Sequence, residues 1–538
     1  MSVADVIVVG SGPSGVHAAA KCAERGKVVQ MLDVGYDDPD TRALIPAGDF
    51  LSLRRTDPEQ SRYFVGGQIS PEELAGVRVG AQLTPPRQFI TRNVDTFAPI
   101  ESSTFTAMQS LALGGLGAGW GAGTYSYNDQ ELDEVGLPAI DMARYYDEVA
   151  AEIGVAAPGE DDTSDEVTRF RPLLPPHSLD TNASVAFASY NRHRDRVRSL
   201  GLSVGRAPAA ILSQPLQRGQ FVRNENPYDD MDFYSDASRS VYRPRYTLEA
   251  LLNESKVLYC DKALVRRFVP GAEMVEVHYT DVESGEDRVA HARRVILAAG
   301  AIGTSRIAMR SLGIDRSVPI LSNSYSYLPC INLAMLGRPA KNRRHSLAQL
   351  TGVFVDNRRP DDKVILSFFS YRSLLLFKLI KEMPMPPQLG LLTARLLLSS
   401  LTIVGVHHPD RRTHRKTMRL RDANGGSDLE ISYDVEDNER RSIETGIGKI
   451  GRALREMGCV PLGKISPGNG SSIHYAGAFG ITTDRADILG TAPSGQLNGA
   501  PSVYIADSAN WRYLPAKGLT MSLMANARRV AAAVCDGL

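Results

Sequence analysis

The hydrophobic pattern at the start of the chain predicts a strand, a turn, a helix and a second strand. Residues 5–9 form a short β-branched run that is apolar on both faces, which is typical of a central strand in a buried parallel sheet. Residues 16–25 are rich in Ala and have helical spacing, and Gly26 ends this segment. Residues 28–33 return to a strand pattern. This order predicts the first unit of an α/β domain.

The turn after the first strand has the glycine spacing of a dinucleotide-binding loop. Gly10 allows the tight turn, Gly12 lets the backbone approach a diphosphate, and Gly15 lets the helix pack closely on the strand. Asp33 lies 18 residues past Gly15, where its carboxylate can accept hydrogen bonds from ribose hydroxyls. A glycine-rich turn of another α/β protein is the less favoured alternative. The pattern specifies only an adenosine-diphosphate group, so NAD and FAD both satisfy it.

Two later segments extend this prediction. Residues 114–123 contain six glycines around Trp120, a composition that suits backbone pressed against a flat or charged ligand better than a flexible loop. Residues 295–300 predict a buried strand, and residues 301–312 predict the helix that follows it. The small residues at this second turn also suit close contact with a cofactor.

In the middle of the chain the hydrophobic pattern changes to short strands separated by turns. This pattern predicts an antiparallel sheet in a separate domain that would bind the substrate. The predicted strands are residues 325–336, 347–355, 364–371, 401–407, 417–420 and 429–433. A helix is predicted over residues 437–457, because Gly458 follows the end of its helical pattern.

Two short apolar helices, residues 374–380 and 391–398, interrupt this sheet. Neither is long enough to span a bilayer. A helical hairpin packed on the core, or on a second subunit in a homo-oligomer, is the favoured interpretation. The alternative is an apolar lid or a peripheral membrane contact through residues 372–400, because basic runs at residues 338–345 and 411–416 flank the hairpin.

Composition and charge limit the number of domains, the class of partner and the cellular location that we expect. A chain of 538 residues can form two domains. Lys and Arg together number 61, as do Asp and Glu, so the charge does not favour binding to nucleic acid. The five cysteines are far apart, and no Cys or His cluster has the spacing of a metal site. Because no secretion signal precedes the first strand, we expect a cytoplasmic protein, with peripheral membrane contact as the alternative.

The last seventy residues add motifs that indicate a family. Residues 471–480 contain His474, residues 502–509 contain Asp507, and residues 519–525 lead into a terminal helix. Together with the glycine segments described above, these motifs resemble the glucose–methanol–choline family of FAD-dependent oxidoreductases. Within that family the chain is most similar to the pyranose-oxidase-like and polysaccharide-cluster members.

The resemblance implies an α/β fold. It predicts a Rossmann-like FAD-binding domain of the p-hydroxybenzoate-hydroxylase type and a second, α+β substrate domain built on a mostly antiparallel sheet. The discontinuous FAD-binding domain would comprise residues 1–40, 101–160, 210–320 and 466–538. The substrate domain would comprise residues 41–100, 161–209 and 321–465, with the apolar hairpin at 372–400.

The resemblance also implies a bound FAD. We expect it to be non-covalent, because Gly119 stands where pyranose oxidases of the family carry the histidine that tethers their flavin. The residues expected to contact the cofactor are Gly10, Ser11, Gly12, Ser14, Gly15, Asp33, Gly114, Gly115, Trp120, Gly121, Ala122, Val265, Ala299, Gly300, Asp507 and Leu519.

In this family His474 would be the catalytic base, which takes a hydroxyl proton while a hydride passes to flavin N5. The family's second His or Asn is replaced by Gly518, and Asn510 and Lys517 are the candidates for the missing contact. We therefore predict oxidation of an alcohol, on a sugar or glycoside, to a carbonyl, with oxygen, a quinone or a protein as electron acceptor. The alternatives are a non-redox flavoprotein lyase, a lipid-linked or otherwise hydrophobic alcohol as substrate, and an inactive binding protein.

Overall fold

The computed structural model describes residues 4–64, 83–218, 221–338, 343–370, 385–386, 388–390, 393, 397–421 and 428–538. Its α-helices are α1 Pro13–Glu24, α2 Pro39–Ala43, α3 Phe50–Thr56, α4 Ser61–Phe64, α5 Val94–Phe97, α6 Asp129–Val135, α7 Ala139–Ile153, α8 Ser164–Val167, α9 Thr181–Arg192, α10 Arg194–Ser199, α11 Pro244–Asn253, α12 Gly300–Ser311, α13 Asp437–Glu456 and α14 Thr520–Asp536. Short 3₁₀ helices cover Pro85–Thr91, Gly115–Ala118, Leu333–Met335, Leu398–Ser400 and Ser508–Asn510.

The strands are β1 Ala4–Val9, β2 Val29–Leu32, β3 Leu202–Arg206, β4 Leu216–Arg218, β5 Phe221–Arg223, β6 Val257–Cys260, β7 Ala263–Pro270, β8 Val275–Asp281, β9 Asp287–Leu297, β10 Val318–Pro319, β11 Leu321–Ser322, β12 Ser324–Asn332, β13 Leu350–Asp356, β14 Arg359–Ser370, β15 Leu401–His408, β16 Asp410–Arg411, β17 Lys416–Leu420, β18 Leu429–Tyr433, β19 Cys459–Pro461, β20 Tyr475–Ala476, β21 Gln496–Leu497, β22 Ala500–Ile505 and β23 Tyr513–Leu514.

The first sheet has a parallel centre with the order β22-β9-β1-β2-β6. The chain leaves β1 for β2 and β6 on one side, and it supplies β9 and β22 on the other side. The strand order therefore reverses between β1 and β9, and such a reversal leaves a crevice at the carboxyl ends of the strands. Strands β7 and β8 extend β9 in antiparallel fashion. The predicted α/β class is confirmed.

Helices cover both faces of this sheet, which explains why β1 is apolar all round. Val6 and Val8 pack in one cluster with Val16 of α1 and Val530 of α14. Ile7 and Val9 pack on the opposite face with residues of β7 and α12. A parallel strand that is buried on both faces needs this composition.

The second sheet is antiparallel and has the order β19-β12-β15-β14-β13-β3. Leu328 of β12 and Val404 of β15 point to a core that includes Tyr190 of α9 and Leu454 of α13. The alternate residues of β12 and β15 point to the other face, since successive side chains of a strand alternate.

The prediction for this sheet was partly wrong. Strands β17 and β18 were expected in it, but they pair with β10 in a separate three-stranded sheet. Strands β3 and β19 complete the second sheet and were not predicted. They have 5 and 3 residues, which is too short for a clear alternation in the sequence.

The predicted apolar hairpin lies almost entirely outside the described residues, and a membrane contact there stays a prediction. Two of the basic residues that motivated the membrane prediction form ion pairs within the protein. Lys416 lies 2.5 Å from Asp410 and 2.9 Å from Glu439, and it is buried. Arg411 forms ion pairs with Glu134 and Asp362. In the part of the chain that is described, no helix combines the length and apolarity that a bilayer span requires.

Candidate functional site

The carboxyl ends of the parallel strands bring the predicted cofactor residues to one crevice. Gly10 follows β1, Asp33 follows β2, Ala299 follows β9 and Asp507 follows β22. Gly10 has φ +97°, and a Cβ on it would lie 2.7 Å from the carbonyl oxygen of Ala298. Only glycine tolerates both this dihedral angle and this close contact. Gly10 therefore allows the turns after β1 and β9 to touch each other at the point where the strand order reverses.

Helix α1 presents an uncapped N-terminus to this crevice. Gly12 is its N-cap, no side chain caps it, and its first turn has no acidic residue. The nearest heavy atom to a Cβ built on Gly12 is the carbonyl oxygen of Gly114, 4.0 Å away, so open space lies beside this helix end. Free N–H groups and the positive end of the helix dipole make such a site suitable for a diphosphate.

Gly15 fixes the position of α1 on the sheet. A Cβ on this residue would lie 1.8 Å from the carbonyl oxygen of Gly10. Because the Gly10 oxygen belongs to the backbone, no side-chain movement would relieve that overlap. The third glycine of the motif therefore sets the helix at the distance that aims its N-terminus into the crevice.

The second glycine segment is joined to the first through Ser11. The amide of Gly114 donates to Ser11 Oγ at 2.9 Å, and the Ser11 hydroxyl donates to the Asp33 carboxylate. A Cβ on Gly115 would lie 3.3 Å from Gly12 Cα. Two loops about a hundred residues apart in sequence thus form one wall of the crevice. Ser14 is buried in the first turn of α1.

Asp33 is held at the end of β2 for contact with a ligand. Besides Ser11, Tyr259 donates to the carboxylate at 3.0 Å. Burial raises the pKa of Asp33 to about 6, although both hydrogen bonds oppose the shift. The Asp33 carbonyl accepts from the Ala263 amide at 2.9 Å, which places β7 and its buried residue Val265 beside the same strand end.

The far side of the crevice is formed by the turns after β9 and β22. Gly300 has φ +79°, is exposed, and has no heavy atom within 4 Å of a Cβ position. The Ala299 amide donates to Thr304 Oγ1 at 3.0 Å, and Thr304 in turn donates to Asp507 at 2.5 Å. Burial raises the pKa of Asp507 to about 6. Thr304, which links these two turns, was not among the residues predicted from the sequence.

The third part of the wall is the segment around Trp120. Its indole donates to the carbonyl of Tyr242 at 2.7 Å, and its own carbonyl accepts from Arg243 at 3.0 Å. Gly121 has no heavy atom within 4 Å of a Cβ position, so it borders open space. Ala122 is buried and has φ +54°, a conformation that is uncommon outside glycine.

His474 lies at the same edge of the sheet, and the residue before it has a strained backbone conformation. Ile473, which precedes it, has φ +63°, and a β-branched residue in that region is a genuine outlier. Such strain concentrates at functional sites. After His474, strand β20 pairs with β11, and Ser508 Oγ donates to the Tyr475 carbonyl at 2.6 Å. This bond ties the His474 segment to the turn that carries Asp507.

Asn323 determines which nitrogen of His474 carries the proton. The Asn323 amide nitrogen donates to the carbonyls of His408 at 2.9 Å and Pro515 at 3.0 Å. Its oxygen therefore faces His474 Nδ1 at 3.0 Å and accepts a hydrogen bond from it. Burial lowers the pKa of His474 to about 4, so the ring is neutral near pH 7. Nε2 is left as an acceptor, and no group in the described ranges binds it.

The structure places both candidates for the missing second contact, Asn510 and Lys517, in the protein core. Lys517 is fully buried, and its Nζ lies 2.5 Å from Glu131 and 2.6 Å from the carbonyl of Glu166. Burial lowers the pKa of Lys517 despite its pairing with Glu131. Asn510 is also fully buried and donates to the carbonyl of Ile505 at 3.2 Å. Both side chains thus make their hydrogen bonds inside the protein core.

The neighbouring positions 518 and 519 pack against other core residues. A Cβ on Gly518 would lie 3.1 Å from the Tyr125 ring, so any side chain at this position would be tightly packed. Leu519, expected to contact the cofactor, is the N-cap of α14 and is buried in the core cluster that contains Trp511.

Comparison with solved structures gives a match over the whole chain. No family model matches the sequence, and no curated protein matches it. A solved structure of an FAD-dependent oxidoreductase from Chaetomium thermophilum, in complex with a small fragment, superposes with a TM-score of 0.58. The alignment covers 99% of both chains at 16% sequence identity.

The chain shares the fold of this FAD-dependent oxidoreductase. At this low identity the match extends to the architecture of the whole chain and not to a family. Membership of the glucose–methanol–choline family, and the division into two discontinuous domains, stay predictions.

Proposed function

We propose that the protein is an FAD-dependent oxidoreductase that oxidises an alcohol to a carbonyl. The observation that carries this proposal is the position of His474, a neutral imidazole with a free acceptor nitrogen, at the edge of a crevice shaped for a dinucleotide. The full-length likeness to an FAD-dependent oxidoreductase supports FAD rather than NAD. Non-covalent binding is proposed because Gly119 offers no side chain for a covalent bond to the cofactor.

The residues of the crevice suit the parts of FAD in turn. Asp33 would accept hydrogen bonds from the adenosine ribose, and the N-terminus of α1 beside Gly12 would hold the diphosphate. The turns at Ala299 and Asp507 would hold the chain that leads to the flavin. When bound, FAD supplies the acceptor for the hydride that leaves the carbon of the alcohol.

His474 performs the proton step. Its Nε2 accepts the proton of the substrate hydroxyl, and this type of catalysis contributes about a hundred- to ten-thousand-fold in rate. The Asn323 oxygen, 3.0 Å from Nδ1, holds the ring in the required tautomer and stabilises the imidazolium that forms. The alcohol thus loses one proton to His474 and one hydride from carbon, which leaves a carbonyl.

The second sheet supplies an aromatic face beside His474. Tyr325 and Tyr327 of β12 lie 4.5 Å apart between ring centroids, and His407 of β15 stacks on Tyr325 at 4.1 Å. Aromatic walls with a few polar groups suit a substrate with flat, partly apolar faces. A sugar or glycoside satisfies this description, and so does a lipid-linked alcohol. The electron acceptor and the oligomeric state stay predictions.

Anaerobic mixing tests the proposal. The flavin-loaded protein is mixed with D-glucose, a methyl glycoside, a nucleotide sugar, a lipid-linked sugar and benzyl alcohol, and flavin absorbance is followed. We expect at least one alcohol to bleach the flavin. His474→Ala should keep its FAD but bleach about a hundred- to ten-thousand-fold more slowly, whereas His278→Ala, on the remote strand β8, should behave as wild type.

Two outcomes of this experiment contradict the proposal. If no alcohol reduces the flavin, the redox assignment fails. If substrate is consumed while the flavin stays oxidised throughout, the protein is a non-redox lyase of the same fold.

A further inference from the structure

His407 lies next to His474 although the two residues are far apart in sequence. The ring centroids are 5.1 Å apart with an angle of 21° between the planes. On its other face His407 stacks on Tyr325, its direct cross-strand neighbour, at 4.1 Å and 28°. Tyr325, His407 and His474 therefore form a continuous stack of three rings.

The second sheet is built to hold this stack. A Cβ on Gly405, two residues before His407 on the same face of β15, would lie 2.7 Å from the Tyr325 hydroxyl oxygen. The glycine leaves the space that Tyr325 occupies beneath His407. The stack is thus fixed by strand register and by a missing side chain, which is the kind of support that holds a reacting group in place.

The two nitrogens of His407 differ in their surroundings. Nδ1 is buried and has no hydrogen-bond partner, while the ring as a whole is only partly buried. No group of the described chain binds Nε2 either. Burial, with smaller effects from His474 and His408, lowers the pKa of His407 well below its usual range. The ring is therefore neutral and carries a single N–H.

The surroundings indicate where that proton is. A buried N–H group without an acceptor is rarer than a buried acceptor without a donor. The unpaired, buried Nδ1 therefore favours the tautomer in which Nδ1 is deprotonated and Nε2 carries the proton. His474 has the complementary arrangement, because Asn323 holds its proton on Nδ1 and leaves Nε2 as the acceptor.

We propose that His407 is a second catalytic histidine, which donates a hydrogen bond from Nε2 to the substrate oxygen whose proton His474 accepts. Two nitrogens that each make a hydrogen bond of about 2.9 Å to one oxygen lie no more than about 5.8 Å apart. The 5.1 Å between the ring centroids of His407 and His474 falls within that limit. His407 keeps its proton throughout and stabilises the negative charge that develops on the oxygen.

This inference rests on the proposed function and explains a departure from the family pattern. The pattern places a second His or Asn at position 518, where this chain has Gly518 packed on Tyr125. His407 brings the equivalent donor from strand β15 instead. Asn510 and Lys517 are fully buried and make their hydrogen bonds within the core.

Two variants of the flavin-loaded enzyme test the kinetic role. His407→Phe keeps an aromatic ring in the stack but removes the N–H, and His407→Gln places an amide donor near the same position. With the alcohol that bleaches wild-type flavin fastest, we expect His407→Phe to be about a hundred- to a thousand-fold slower at unchanged FAD content, and His407→Gln to recover at least tenfold of that loss. His278→Phe is the matched control.

A rate for His407→Phe within threefold of wild type would overturn the proposal while the proposed function stands. If no alcohol bleaches the wild-type flavin, the proposed function fails and this proposal fails with it.

A second readout is independent of turnover. Neutron diffraction of the resting flavin-loaded protein locates the exchangeable hydrogens on both rings. We expect one on Nε2 of His407 and one on Nδ1 of His474. A hydrogen on Nδ1 of His407, or a His407 ring turned away from His474, would refute the donor role whatever the kinetics show.

Discussion

Gly12→Ala separates the cofactor role of the crevice from its structural role. Gly12 has φ −64° and ψ −178°, which alanine adopts without strain. Because a Cβ here has no closer neighbour than the Gly114 oxygen at 4.0 Å, the methyl group enters open space in the cofactor-free protein. Replacing glycine at such a position stabilises a protein by about 0.4–1 kcal/mol, through the unfolded state.

The same methyl group lies where the diphosphate of FAD would bind. We therefore expect the dissociation constant for FAD to rise at least about tenfold, equivalent to 1.4 kcal/mol. Gly15→Ala should behave differently, because its Cβ would overlap the Gly10 oxygen at 1.8 Å. We expect it to destabilise the cofactor-free protein by about 3 kcal/mol or more.

Urea unfolding of the cofactor-free protein measures the stability, and fluorescence titration with FAD measures the affinity. Gly159→Ala is the control, since this residue is exposed and has no heavy atom within 4 Å of a Cβ position. It should gain the same small stability of about 0.4–1 kcal/mol and leave the FAD affinity unchanged. Wild-type affinity for FAD in Gly12→Ala, or a loss of stability above about 1 kcal/mol in that variant, would refute the assignment of this space to the diphosphate.

Three further predictions concern charges. Because burial lowers the pKa of His474 to about 4, kcat/KM should stay level as the pH falls through 6.5 and should drop only near pH 4. A drop in kcat/KM near pH 6.5 would contradict a neutral, buried base. Burial raises the pKa of Asp33 from 3.8 to about 6, so its contribution to stability is lost as the pH rises through 6. Asp33→Asn should therefore stabilise the cofactor-free protein at pH 8 by about 1–3 kcal/mol, as measured by urea unfolding. The same substitution should weaken FAD binding. An unchanged FAD affinity would argue against a contact between Asp33 and the ribose. Lys517→Met should cost about 3–5 kcal/mol of unfolding free energy, because it leaves Glu131 buried without its partner, and Lys517→Met with Glu131→Gln should recover most of it. A stable but inactive Lys517→Met protein would instead indicate a direct catalytic role.

The crevice could be predicted from the sequence because its signals are local. The turn at Gly10 lies directly between β1 and α1, and Asp33 follows β2 within the same short unit. Both the geometry of the turn and the packing of the helix are set by residues adjacent in the chain. The same holds for the turn at Ala299, which lies between β9 and α12.

The partners of His474 could not be predicted, because they arrive through the register of distant strands. Asn323 is 151 positions away from His474, and an Asn between two strands is ordinary in a turn. His407 reaches the site only because β15 pairs with β12. Lys517 was expected near the substrate from its place in the sequence, but its side chain pairs with Glu131, 386 positions away. Side-chain direction at such positions depends on long-range packing.

The central claim is that this chain binds FAD in the crevice at Gly12 with His474 facing the flavin. A crystal structure of the protein saturated with FAD tests it most directly. We expect one FAD per chain, with its diphosphate at the N-terminus of α1 and its flavin ring opposite His474 Nε2. A protein that binds no FAD, or a flavin bound away from His474, would contradict it.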